Sequence, residues 1–333
     1  MRFPVLARIA VSSVLTSLLL SQPAWGWGND GHMMINRLAA QFLPTDVPAF
    51  LRDKNALDTM QYLGPEPDRW RNRAEAELVA EQAPDHFIDM EWAAYGEVPC
   101  TAPTPGCVNG KMYPRKRYDF IRALAAAQPA FNAANPTLKV QLTPEQIGMQ
   151  PWETEEIWQK LKVDFREYRK LVAAKGDTKP VELAILYDAG WLGHYVADGS
   201  QPLHTTIEYN GWQASVPNPN HYTTEHRIHS QFESAFVSAN IKPDDVAPLV
   251  AAGKPQVFPD EWLAYLDYLN HTNSLVEKTY QLEKAGGFTG AGTPEAKAFT
   301  ESCLAAGAIE LRDMIYSAWV HSADPVEEFH GAQ

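Results

Sequence analysis

An all-α fold, a single-domain multi-helix bundle with long loops, is what this 333-residue sequence predicts, and three observations carry the prediction. Apolar residues recur at helical spacing along most of the chain. Strand-like alternation is scarce, and no internal repeat or shift in composition marks a second domain. At 45% hydrophobic content the chain can bury a substantial core.

From the N-terminus, Arg2 and Arg8 are the only charges in residues 1–26, and Ile9 to Leu20 is mostly apolar. Ala24 and Gly26 put small residues at the third-last and last places of that stretch. This reads as a secretory signal, so the expected mature domain is residues 27–333, starting at Trp27 and secreted or periplasmic. A membrane span is the competing reading. The apolar run is shorter than about 18 residues and ends in a cleavage-like segment, which favours the signal and leaves no transmembrane anchor.

His32 to Phe42 repeats Ile35, Leu38, Ala39 and Phe42 on one stripe and stops before Pro44, a first helix. Glu153 to Ala174 places Ile157, Leu161, Phe165, Tyr168, Leu171 and Val172 on one side, the pattern of a packed surface helix. Pro180 opens VELAILYDAGWLGHYVAD, which has no clean polar face and should run through the middle of the bundle until Gly199 and Pro202 end it. Further helices are expected from His226 to Ala239, Asp260 to Lys284 and Thr293 to Ser322, with Gly and Pro between them. Gly96 to Pro114 and Thr206 to Tyr222 are rich in turn residues and read as long loops.

The formal charge is -13, and loss of the two leader arginines moves it to -15, a balance that argues against sequence-independent binding to duplex phosphates. Any affinity for a polyanion must therefore be local. Cys100 and Cys107 bracket a short Pro-containing loop and are the expected disulfide in an exported chain. Cys303, inside an apolar helical pattern, reads as a buried free thiol. Asn270 opens an NHT sequon.

Chemistry concentrates in the histidines. In HYVADGSQPLH, His194 and Asp198 are four apart on a helix and His204 follows just past its end. That spacing stacks two side chains on one helix face, where both can reach one cation. His229 and Glu233 in HSQFE repeat the spacing. Zinc prefers imidazole nitrogen and carboxylate oxygen, and these residues supply both. A His four residues from an acid is usually only a hydrogen-bonded pair. Here His194 and Asp198 fall in the most apolar helix, where an unpaired carboxylate is costly to bury. His226, one turn before His229, has no acid four residues on, which favours His229. The mature N-terminus, WGNDGHMM, brings His32 five positions after Trp27, whose freed amine would have a pKa of about 8 and could bind zinc with its own carbonyl. Taken alone, that segment also reads as a Gly-containing lead-in to the first helix.

Together these patterns resemble the superfamily of zinc-dependent phospholipases C and S-one/P-one single-strand nucleases. WGNDGH resembles the nuclease branch's opening, with Trp27 and His32 in the matching places. HFID resembles the segment after the first aspartate ligand and makes His86 the next imidazole. Asp68 in GPEPDRW matches that preceding aspartate, with Asp58 the weaker alternative. HYVADGSQPLH resembles the superfamily signature and carries over His194, Asp198 and His204; His229 and Glu233 complete the set. The last pair departs from the nuclease pattern, which has Asp in an N-L-H-x-x-W-D context, and resembles the phospholipases instead.

The resemblance implies a phosphodiesterase with three zinc ions. Asp68, His86, His194 and Asp198 would hold one, His204, His229 and Glu233 a second, and Trp27, His32 and Asp198 the third, with Asp198 bridging. Six positive charges against three carboxylates leave a cationic patch that draws phosphate into an anionic protein. Asp198 and Asp68 are the implied catalytic carboxylates, Asp68 orienting the attacking water. Phe87 and Asp89 resemble nuclease positions that stack on and hydrogen-bond an unpaired base; Phe87 also reads as a core aromatic. The expected activity is hydrolysis of single-stranded DNA or RNA to 5'-phosphate products. Glu233 keeps a phospholipase C acting on a phospholipid as the alternative, and a helical zinc-binding protein without catalysis is a third reading. His221, His226, His271, His321 and His330 are expected to take no part in metal binding.

Overall fold

The computed structural model describes residues 27–326. The proposed leader and His330 lie outside the described residues. The most apolar stretch does run through the middle: the Lys179–Gly199 helix packs against Gly28–Gln41, Lys54–Leu63, Gln150–Ala174 and Pro294–His321. Ile185, Leu192, Val196 and Ala197 on it are fully buried, each large aliphatic contributing about 1.5–3 kcal/mol of apolar transfer. Two glycines allow the close approach. A Cβ on Gly190 would lie 2.5 Å from Leu63 Cβ, and one on Gly193 would lie 2.2 Å from Asn36 Oδ1. Asn36 then donates to the carbonyls of Gly190 (2.8 Å) and Met60 (3.1 Å), locking three helices around the residue that precedes His194. Trp158 donates its indole N–H to the Met314 carbonyl at 2.9 Å, tying the Gln150–Ala174 and Pro294–His321 helices together.

The first helix begins at Gly28, four residues before the expected His32. Glycines at 28 and 31 argue against helix locally, but tertiary contacts override them. Trp27 is fully buried, donates Nε1–H to Ser200 Oγ at 2.6 Å and meets Phe232 edge-on at 5.2 Å, so the chain enters the helix already anchored. The expected Asp260–Lys284 helix is two, Glu261–Asn273 and Val276–Lys284. No Gly or Pro marks the break. Asn273 donates instead to the Thr205 carbonyl (2.7 Å) and Ser274 Oγ to the His271 carbonyl (2.6 Å), side-chain bonds that compete with the helix ladder. An Arg117–Ala134 helix escapes the periodicity because its alanines dilute the stripe and Pro129 interrupts it. In the expected loop from Gly96 to Pro114, Val98–Pro99 pairs antiparallel with Lys111–Met112, and Cys100 is bonded to Cys107. Cys303 is buried and free. Among the described residues no helix is long and apolar enough to cross a membrane.

One half-buried acid in the C-terminal helix offers a stability test. Glu310 has a carboxylate oxygen closed off from solvent without a partner, and burial, reinforced by Asp313, pushes its pKa up to about 8. The folded protein therefore holds a proton that the unfolded chain sheds above about 4.3. Stability is lost as pH rises from there through 8. Glu310→Gln is expected to melt several degrees above the parent at pH 9, with the gap shrinking toward pH 5 in calorimetric scans. A gap independent of pH would contradict the buried charge.

Candidate metal centre

Eight of the side chains proposed as ligands converge. His32 comes from the first helix and Asp68 from the short Glu66–Trp70 helix. His86 ends a 3-10 turn, and His194 and Asp198 lie one turn apart on the central helix. His204 closes the Pro202–His204 turn, and His229 and Glu233 straddle the start of a π-helical segment, Gln231–Phe236. π-Bulges are rare and concentrate at functional sites. All eight are 5% exposed or less, which no ordinary surface ion pair would be. Three groups, His32–His194–Asp198 and Asp68–His86–His194, which share His194, and the separate His204–His229–Glu233, each hold their ligand atoms within 4.8 Å of one another. Three buried clusters that can hold metal ions are thus present.

The imidazoles are aimed by the main chain. His194 Nδ1 donates to the Gly64 carbonyl (2.8 Å), His204 Nδ1 to the His86 carbonyl (2.6 Å) and His229 Nδ1 to the Tyr209 carbonyl (2.8 Å). A carbonyl only accepts, so each Nδ1 carries the hydrogen and, in the neutral ring, each Nε2 is left as a lone pair. Those lone pairs face one another and the acids. His204 Nε2 is 3.1 Å from His229 Nε2, which is 2.8 Å from Glu233 Oε2. His194 Nε2 is 2.9 Å from His86 Nδ1 and 3.3 Å from Asp198 Oδ2. The Nε2 atoms of His204 and His229, both acceptors, need a proton or a cation between them at this distance.

The remaining atoms say the same. Both ring nitrogens of His32, both oxygens of Asp68, Asp198 Oδ1 and Glu233 Oε1 are buried without a hydrogen-bond partner. Burial holds His32, His86 and His194 well below the usual histidine range, which keeps them neutral and fit to ligate. Burial likewise lifts Asp68 to about 7, although the Arg71 guanidinium pulls the other way. Burial, with Asp68 and Glu233 nearby, holds Asp198 well above the ordinary carboxylate range. Burial lowers His229 too, but Glu233 more than offsets it. Carboxyls this reluctant to ionise await a positive partner.

Asp198 sits between the groups. Its Oδ1 is 3.4 Å from His32 Nε2 and 3.6 Å from His204 Nδ1, while Oδ2 is 3.1 Å from His86 Nδ1. Asp58 is instead an exposed partner of Arg37 and Lys54 and belongs to no cluster. His226 is exposed against the Asn210 carbonyl, and none of His221, His226, His271 and His321 joins the three groups. Trp27 is placed at the start of the first helix, its ring against Ser200 and Phe232, two residues past Asp198 and one before Glu233. The chain cut that would free its amine lies outside the described residues.

A cavity of about 380 Å³ opens beside the clusters, lined by Phe87, Asp89, Trp92, Leu203 and Tyr209 as well as His86, His204 and His229. Phe87 is half-buried on its wall, so it is not a fully packed core aromatic. Asp89 is 6% exposed, and burial beside Glu91 pushes its carboxyl well up. Arg71, also on this wall, lies 3.7 Å from Asp68 and was not singled out from sequence, although its place three residues after Asp68, just past the end of the Glu66–Trp70 helix, was the available signal. Tyr209 was hidden inside the loop before Tyr222. Comparison with protein-family models, with curated proteins and with solved structures returns no match.

Proposed function

We propose that this chain is an exported phosphodiesterase whose three clusters each hold a zinc ion, and that it cleaves single-stranded DNA or RNA to products with 5'-phosphate. The observation that supports it most is the confrontation of lone pairs between His204 and His229: their Nε2 atoms lie 3.1 Å apart, with each ring's Nδ1 hydrogen committed to a main-chain carbonyl on the far side. The donor set is nitrogen and carboxylate oxygen, which suits zinc and does not suit calcium or magnesium, both of which take oxygen shells. Asp68, His86 and His194 would hold one ion, with Asp198 shared. His204, His229 and Glu233 would hold the second. His32 and Asp198 would hold the third, with the amine and carbonyl of Trp27 completing its shell.

When bound, the ions supply Lewis acidity toward a phosphoryl oxygen and make hydroxide available near neutral pH. The chain's own groups do the rest. Asp198 turns one oxygen to each side of the cluster and so fixes the spacing of the groups. Asp68, with both oxygens free of hydrogen bonds, is placed to orient an attacking water by accepting from it. Arg71 offsets negative charge on a phosphate entering beside Asp68. Phe87 gives a ring face, and Asp89 a carboxyl, to an unpaired base in the cavity.

Glu233 favours a second reading, a phospholipase C that releases a phosphorylated headgroup from lipid. Incubating the purified protein with single-stranded DNA, RNA and phosphatidylcholine side by side, with metal analysis of the same sample, separates the readings. Cleavage of nucleic acid with about three zinc ions per chain is expected. Activity on lipid alone would replace the first reading by the second, and zinc without either activity would leave a binding protein. A chain carrying one extra residue ahead of Trp27 is expected to hold one ion fewer, and equal zinc content would remove the terminal ligand.

A further inference from the structure

Between Asp198 and His204, the loop that leaves the central helix carries Gln201, a polar side chain that is fully buried. Its Oε1 accepts the main-chain N–H of Leu203 at 2.6 Å. Because that N–H can only donate, the orientation of the carboxamide is fixed, and its Nε2 must point the opposite way. There Nε2 donates to Glu233 Oε2 at 3.1 Å and lies 3.5 Å from His229 Nε2. The same Glu233 oxygen is 3.6 Å from His204 Nε2. The Leu203 bond caps the turn that delivers His204. The other end of the amide has no such local duty, since it reaches only two side chains from an element about thirty residues further on.

We infer that Gln201 is the positioning residue of the His204–His229–Glu233 site, an inference that rests on the metal-centre reading above. Its amide sets the plane of the Glu233 carboxylate against the two imidazoles. Removing that N–H leaves the buried Glu233 Oε2 facing only the imidazoles of His204 and His229, with nothing on the other side to fix its plane. The consequence is local: one ion is held less tightly and the other two are not.

The test is competition of Zn²⁺ alone against a chromophoric chelator, read as stepwise release from the full mature chain. Wild type, Gln201→Met, Glu233→Gln and the double variant are compared, with the melting temperature of each in its chelated form. Gln201→Met is expected to release one ion at roughly 10–100-fold lower chelator strength, with the other two unchanged. If Gln201 acts through Glu233, the double variant behaves as Glu233→Gln does by itself. A further loss of the same factor in the Glu233→Gln background would overturn the proposal, as would release identical to wild type. Should Gln201→Met not fold, Gln201→Asn keeps both polar ends on a shorter stem and enters the same cycle. A wild type that takes up no zinc would instead sink the metal centre itself.

Discussion

With asparagine in place of Asp198, the protein is expected to lose turnover by two to three decades or more and to bind fewer than its full complement of metal ions, while Glu233→Gln loses a single ion. The asymmetry comes from geometry. Asp198 Oδ1 faces His32 and His204, and Oδ2 faces His86 and His194, whereas the histidines that Glu233 faces are His204 and His229 of a single cluster. Taking one partner out of a buried charge pair costs about 3–5 kcal/mol, and every 1.4 kcal/mol is about tenfold in affinity. For Asp198 that cost is incurred at two sites together. Folding should not suffer in step. The Asp198 carboxyl is driven toward its neutral form by burial, so an amide of the same shape removes a desolvation cost when no cation is present. Chelated Asp198→Asn should accordingly melt no lower than chelated wild type. Metal analysis, turnover and scanning calorimetry on the two variants settle the matter; equal zinc loss from both would remove the bridge.

The site was legible in sequence to the extent that its ligands come in local pairs. His194 with Asp198, and His229 with Glu233, are written at helical spacing and are found on helices facing inward. Burial of the first pair followed from the apolar run around it. Asp68 was less certain, because nothing local distinguishes it from Asp58; only packing does, which buries Asp68 near His86 and leaves Asp58 on the surface with Lys54. What spacing could not carry is orientation. The carbonyls that aim His194 and His204 belong to Gly64 and His86, more than a hundred residues away in the chain. Gln201 illustrates the same limit, since its motif and Glu233 were both read while the bond between them was not.

The fold shows a parallel division. The central helix has one reading because it is apolar all round, and Trp27 could be suspected of burial from its size. The Arg117–Ala134 helix and the break at Ser274 depend on weaker local signals, alanine dilution in one and Asn/Ser side-chain competition in the other. Both are settled by long-range contacts, of which the Asn273 bond to the Thr205 carbonyl is the clearest. That bond also steadies the turn carrying His204, so an element misjudged from sequence turns out to brace the site.

Stripping the metals is expected to be the largest single perturbation this protein can suffer short of unfolding. A ligand bound only by the folded state stabilises it by about 4 kcal/mol at a thousandfold excess over its Kd, and three such sites approach the whole stability of an ordinary domain. The melting temperature should therefore fall by ten degrees or more on chelation, at roughly 2–4 °C per kcal/mol, and turnover should vanish. The chelated chain should still be folded, because the contacts that frame the site do not involve the ligand atoms: Trp158 on Met314, Asn36 on Gly190 and the Trp27 indole on Ser200 persist without a cation. Returning Zn²⁺ should restore both properties and Mg²⁺ neither, since a nitrogen-rich donor set discriminates against a hard oxygen-seeking ion. The gap between loaded and chelated forms should also narrow in acid, where protons compete for the same imidazoles and carboxylates. Calorimetric scans with and without chelator at pH 5 and pH 8 measure it. A melting temperature indifferent to chelation would mean that the opposed lone pairs of His204 and His229 are bridged by a proton and nothing more.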